Sequence, residues 1–138
     1  MKKRTIILFR ILLVLYIVAL LILCFGHFGN LPQIHSKILG LEQDKVVHFL
    51  MFLPFPLLCY WADGIEPDGP RKAIGRMLSI FLSGCLMAAA TEIAQRFLPY
   101  RTADPKDFLA DTIALAVSSL AVFIVMLIHG IRSTRTEQ

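Results

Sequence analysis

Four long apolar runs, at residues 6–25, 46–62, 77–98 and 108–128, leave this chain few ways to fold. An α-helix rises about 1.5 Å per residue, so each run approaches or reaches the length that crosses a hydrocarbon core about 30 Å thick. The first run holds a single charge, Arg10, about one turn from its start, where a long side chain can reach back to the interface. Only 17% of the 138 residues are charged and 57% are hydrophobic, whereas a soluble domain carries about a quarter charged residues. The fold class that follows is all-α: a small integral membrane bundle of four transmembrane helices, forming a single domain over residues 1–138.

A basic start followed by an apolar run also fits a signal peptide. The run is long for that role, no A-x-A site follows it, and the LILC ending at Cys24 lacks the small residue of a lipobox. The first helix is therefore read as an uncleaved span. The segment GHFGNLPQIHSKILGLE, residues 26–42, reads as a loop with a short interfacial helix around residues 36–41. Pro54 and Pro56 remove backbone donors from the second run and predict a kinked span. DGIEPDGPRK, residues 63–72, is a turn-rich connector, and HGIRSTRTEQ at the C-terminus reads as a frayed polar tail. Small residues in the third run (Ser79, Ser83, Gly84, Ala88) and the fourth (Ala110, Ala114, Ser118, Ser119) suit close helix packing. Cys24, Cys59 and Cys85 all lie in apolar runs and read as buried free thiols.

The basic residues flank the spans and are not interleaved with aromatics, which argues against nucleic acid as a partner and for a role in orientation. With four spans, Lys2, Lys3, Arg4, Arg10, Arg71, Lys72, Arg76, Arg132 and Arg135 share one side, and Lys37, Lys45, Arg96, Arg101 and Lys106 the other. The positive-inside rule then puts the N and C termini in the cytoplasm. The expected location is the cytoplasmic (inner) membrane, as a multi-pass protein.

This topology gathers distant polar residues on the extracytoplasmic side. Asp44, Lys45 and His48 open the second span, Glu92, Gln95 and Arg96 close the third, and Arg101, Asp104, Asp107 and Asp111 lead into the fourth. Asp44 and His48, four apart, share a helix face; Glu92 shares one with Gln95 and Arg96. Asp104 before Pro105 is a helix N-terminus signal, with Asp as cap and Pro in the first helical position. Glu92 lies about 10 Å below the helix end set by Pro99, a depth at which ionisable groups are costly and kept where they pair or serve a site. The competing reading is structural. Asp104 is foremost a cap, Lys45, Lys106 and Arg96 suit interfacial anchoring, the methionines and phenylalanines suit packing or lipid contact, and a charge network can rigidify helices that gain little from hydrophobic association in lipid. His27, His35 and His129 receive no role.

The blocks DKVVHFLMF, residues 44–52, and TEIAQRFLPYRTADPKDFLAD, residues 91–111, resemble the VanZ-like membrane proteins. That pattern is DKxxHFxxF, ExxQ near the end of the third span and RxxDxxD at the start of the fourth, and the resemblance runs over residues 44–119. Asp111 stands where the family usually has Asn, and Ala114 and Ser118 where it often has Gly. The resemblance implies that Asp44, Lys45, His48, Glu92, Gln95, Arg101, Asp104 and Asp107 form the family's polar set, with Asp111 beside them. The family takes its name from a protein associated with resistance to teicoplanin, a lipid-bearing glycopeptide that acts on cell-wall precursors.

Two functions are expected from this. The first is a binding protein whose outward-facing polar site holds an envelope lipid, a lipid-linked envelope precursor or a lipoglycopeptide, with Arg101 and Lys45 contacting phosphate or carboxylate, and which lowers susceptibility to lipoglycopeptides such as teicoplanin. The second is a membrane-embedded hydrolase or transferase acting on a lipid head group, with catalytic candidates His48, Glu92 and Asp107 and with Arg101 stabilising negative charge. A transporter is disfavoured by four spans with no detectable internal repeat. No cofactor is expected and no metal is assigned, because HExxH, GxSxG, P-loop and dinucleotide spacings are absent; His48 with Asp44, Glu92 and Asp107 is the set that could alternatively hold one.

Overall fold

The structure, a computed structural model, describes residues 3–26, 37–38, 41–65, 69–99 and 104–136. Its elements in chain order are α1 (Lys3–Phe25), β1 (Lys37–Ile38), β2 (Leu41–Glu42), α2 (Gln43–Phe52), α3 (Phe55–Asp63), α4 (Pro70–Gln95) and α5 (Pro105–Thr136). Four stretches are long and apolar enough to cross a membrane: Lys3–Phe25, Gln43–Asp63, Pro70–Gln95 and Pro105–Ile128. The protein is an all-α, multi-pass membrane protein. Its outer faces carry Leu86, Leu82, Val14 and Ile124 into the surroundings, as lipid-facing surfaces do.

The prolines of the second span act where the sequence expects. The helix breaks at Leu53 and Pro54 into α2 and α3, with Leu53 N–H bonded to the Phe49 carbonyl at 3.1 Å and Leu58 N–H to that of Pro54 at 3.0 Å. The Tyr16 hydroxyl of α1 donates to the Met51 carbonyl beside the break. A neighbouring helix thus supplies a donor in a region where water cannot. α3 ends on Gly64 in the left-handed conformation, φ 68°, a position where glycine pays no Cβ penalty.

Three local expectations are corrected. Within the expected interfacial helix, residues 37, 38 and 41 are instead extended, with Lys37 pairing antiparallel with Glu42 and Ile38 with Leu41, while residues 36, 39 and 40 lie outside the described residues. The third helix starts at Pro70, well ahead of the apolar run, because Gly69 turns the chain and Pro70 supplies a preset first helical φ; it stops at Gln95, with Phe97 and Leu98 closing tight turns onto the Ala94 and Gln95 carbonyls ahead of Pro99. The C-terminal tail continues α5 to Thr136, since adding turns to an existing helix needs no new nucleus.

The core is layered along the bundle. Leu20, Cys24, Phe52, Phe55, Ala88, Ala114 and Leu115 form one buried cluster, and Tyr60, Ala73, Val122 and Met126 a second. The small residues make close packing of α4 on α5 feasible: Ala88 and Ala114 are fully buried, and a Cβ on Gly84 would lie 2.5 Å from Leu115. Cys24, Cys59 and Cys85 are free thiols.

Candidate functional site

Three helix ends meet above the first core cluster: the start of α2, the end of α4 and the start of α5. Together they bring eight of the nine predicted site residues, Asp44, Lys45, His48, Glu92, Gln95, Asp104, Asp107 and Asp111, to one end of the bundle. The ninth, Arg101, lies outside the described residues.

Asp104 begins α5. Its carboxylate accepts the Lys106 backbone N–H at 3.0 Å, and its carbonyl accepts that of Asp107 at 2.8 Å, the bonding of a helix cap. Acceptance of that N–H, followed by the nearby Lys45 ammonium, holds the Asp104 carboxyl below the usual carboxylate range. Lys45 Nζ reaches Asp104 at 3.0 Å and Asp107 at 3.4 Å. It is therefore a bridge between α2 and α5, which also steadies the N-terminal face of α5 on which Asp107 and Asp111 are carried.

One turn deeper, His48 Nδ1 lies 3.2 Å from Asp111 Oδ1, and both residues are buried, Asp111 completely. With Asp111 ionised, the bond takes a proton on Nδ1, and Nε2 is then an acceptor in the neutral ring and a second donor in the imidazolium. The other ring nitrogen, Nε2, then faces Asp107 Oδ2 at 4.0 Å, beyond hydrogen-bond reach. Glu92 comes from α4, buried to 7% exposure. Its carboxylate interacts electrostatically with Asp107, His48, Asp111 and Asp104, and its Oε1 has no hydrogen-bond partner among the described residues. Gln95, one turn further along, donates to the Cys24 carbonyl at 3.0 Å and ties the end of α1 to the site. Asp44 is exposed and opens the group to the outside, with one oxygen in a set whose members, an Asp44 oxygen, a His48 ring nitrogen and an Asp107 oxygen, lie within 4.8 Å of one another.

The charge balance is uneven. Among the described residues the nest has carboxylates at Asp44, Glu92, Asp104, Asp107 and Asp111, and basic groups at Lys45 and His48, with the exposed Lys106 acting on Asp104 from the rim. Burying three of these carboxylates, Glu92, Asp107 and Asp111, leaves a demand for positive charge or hydrogen-bond donors. The arrangement can bind a donor-rich or cationic group, take up or release protons through an oriented imidazole, or hold a cation. Arg96 is exposed at this end. Tyr16, within the apolar first span, escaped the sequence reading; it interacts electrostatically with Asp111 and braces the α2 break. A lone hydroxyl in an otherwise lipid-compatible run was the available signal.

The VanZ/LLP1 profile matches residues 8–128. A relative in Schizosaccharomyces pombe, an uncharacterized protein, is 31% identical over 116 residues, 84% of this chain and 64% of the relative; the chain spans somewhat less than two thirds of that relative's length. No solved structure matches the chain.

Proposed function

Because the chain belongs to the VanZ/LLP1 family, we propose that it binds the polar head group of an amphiphile, an envelope lipid or lipid-linked precursor, in the carboxylate nest at one end of its bundle. The observation that carries this reading is Glu92: a deeply buried carboxylate oxygen without a hydrogen-bond partner among the described residues. Such a group costs on the order of 1–3 kcal/mol or more if left unmet, so its retention supports a role filled by a ligand's donors. Lys45 is already engaged by two carboxylates. Recognition by the protein's own side chains therefore rests on the ligand's amine or hydroxyl groups, with Arg101 the residue for any phosphate. The apolar chains of the ligand would follow the exposed faces of the helices.

The Lys and Arg distribution favours an extracytoplasmic nest and cytoplasmic termini in the inner membrane. Reporter fusions after residue 101 and after residue 136 test it; a cytosolic signal from the first would reverse the orientation. The lipid reading is tested by purifying the protein in mild detergent and comparing co-purified lipids by mass spectrometry. Wild type is expected to enrich one lipid class, and Glu92→Gln, close in shape but uncharged, to lose that enrichment while melting at an equal or higher temperature. A lipid profile shared by both proteins would sink the proposal. Lowered susceptibility to lipoglycopeptides such as teicoplanin is the expected cellular consequence, measured in a susceptible host expressing wild type or Arg101→Ala.

The His48–Asp111 pair favours a second reading, a hydrolase or transferase acting on the head group. Asp111 orients the imidazole and leaves Nε2 free to take a proton from an attacking hydroxyl or water, with Glu92 available as acid and Arg101 for developing negative charge. Turnover of the co-purified lipid, lost in His48→Gln with lipid binding retained, distinguishes catalysis from binding; no turnover by lipid-loaded wild type rejects it.

A further inference from the structure

We infer that the same nest is a binding site for a first-row divalent cation, held by His48 and the carboxylates of Asp107 and Asp44, with the buried Glu92 carboxylate of α4 adding negative charge beside it. The inference rests on the reading of the nest as a ligand site and deepens it by naming what first meets its negative charge.

Three features of the site point to it. In the neutral imidazole the hydrogen bond from His48 Nδ1 to Asp111, at 3.2 Å, leaves Nε2 as a lone pair, and a metal-bound histidine characteristically donates its other ring N–H to a carboxylate in this way. His48 Nε2 stands 4.0 Å from Asp107 Oδ2, an ion pair when the ring is protonated and two facing donor atoms when it is neutral, and a His48 ring nitrogen, an Asp107 oxygen and an Asp44 oxygen lie within 4.8 Å of one another. The second helix supplies the third feature: Glu92 Oε1, buried and without a hydrogen-bond partner among the described residues, belongs to a carboxylate interacting electrostatically with Asp107 and His48.

The dimensions are close to those of a loaded site. Zinc sits about 2.0–2.2 Å from histidine nitrogen and carboxylate oxygen, so ligand atoms placed tetrahedrally around it lie about 3.3–3.6 Å apart. The present trio, whose atoms lie within 4.8 Å of one another, has to draw in by up to roughly 1.5 Å, a movement within reach of side-chain rotation. One imidazole with several carboxylates and no thiolate selects zinc, manganese or iron(II) over softer ions. Lys45 opposes loading, because its ammonium lies 3.4 Å from Asp107 and competes for the same carboxylate. The bound cation would convert an acid-rich nest into one that can receive a phosphate-bearing head group.

The test uses the full chain in lipid-depleted detergent micelles, stripped with a chelator and titrated with Zn²⁺, and separately with Co²⁺ followed by its visible absorption. Wild type is expected to bind one ion per chain and to be raised in melting temperature by Zn²⁺. His48→Ala and Asp107→Asn should each lose at least tenfold in affinity, and Asp111→Asn about ten- to a hundredfold with unchanged stoichiometry. Lys45→Met should bind several-fold more tightly, a gain that misfolding cannot produce. Absence of stoichiometric binding by folded wild type, or affinity unchanged in both His48→Ala and Asp107→Asn, overturns the inference. Ion binding without selective lipid retention rejects only the head-group reading; selective lipid retention without ion binding rejects only the cation.

Discussion

Arg76 and Glu92 both sit on α4, near opposite ends of it, and the bundle treats them differently. Around Arg76 the guanidinium lies 2.7 Å from Asp63, donates to the Ile65 and Tyr60 carbonyls and stands 5.5 Å from the Tyr60 ring. Arg10 does similar work from α1, donating to the Ala62 carbonyl at 3.0 Å, so its side chain joins α1 to the end of α3 instead of serving only as an interfacial anchor. These cations meet carbonyls that a helix end leaves without partners, the place where positive charge is favoured. Around Glu92 the balance is reversed, with an excess of buried carboxylate. The difference teaches how to separate a brace from a site: among the described residues Arg76 leaves its Nε without a hydrogen-bond partner, but its charge is met by helix-end carbonyls and a half-exposed aspartate, while the Glu92 end leaves negative charge unanswered.

That contrast can be broken most forcefully at His48. Replacing it with Leu strands the fully buried Asp111 without its imidazole, and breaking a buried pair costs about 3–5 kcal/mol; unfolding of the detergent-solubilised protein should show a loss of that order. A His48→Leu protein as stable as wild type would mean that the nest's charges are met in another way. Arg76→Met is the matching change at the other end. Loss of charge-assisted bonds to carbonyls should cost about 1.5–3 kcal/mol, with lipid retention unchanged per folded molecule, and selective loss of lipid would erase the distinction between brace and site.

Asp63→Asn should be milder, within about 1 kcal/mol, because the aspartate side chain is 47% exposed and exposed pairs contribute little. A larger loss would show that the ion pair, and not the carbonyl contacts, holds that end. The smallest effect belongs to Asp104. Its carboxyl lies below the usual range when folded, so the ionised form stabilises the protein near neutral pH and that contribution fades as pH falls below the ordinary carboxylate range and through the folded value. Melting curves between neutral and acidic pH should therefore show a slightly shallower decline for Asp104→Asn than for wild type. Superimposable profiles would remove Asp104 from the account of the nest.

Much of this site was legible because membrane burial makes polar residues conspicuous. Asp44, His48, Glu92 and Asp107 stand out against apolar neighbours, and counting spans alone carries them to one end of the bundle. The Asp104–Pro105 cap was equally readable, since it depends on two adjacent residues. What stayed hidden was pairing. Nothing in spacing says that Lys45 would be engaged by Asp104 and Asp107, that Asp111 would be His48's partner at a separation of 63 residues, or that Tyr16 would brace the break in the second span. The hairpin at β1 and β2 was misread because a glycine-bearing segment of mixed polarity carries no decisive period.

The sequence by itself determined that this protein is a bundle of membrane-crossing helices and which of its residues are expensive to keep there, because hydropathy and helix length act locally along the chain. Only the tertiary structure decided which carboxylates are answered and which are not. That decision depends on side-chain distances between helices, and a difference of about one ångström separates a hydrogen-bonded pair such as His48 and Asp111 from the facing, unbonded His48 and Asp107.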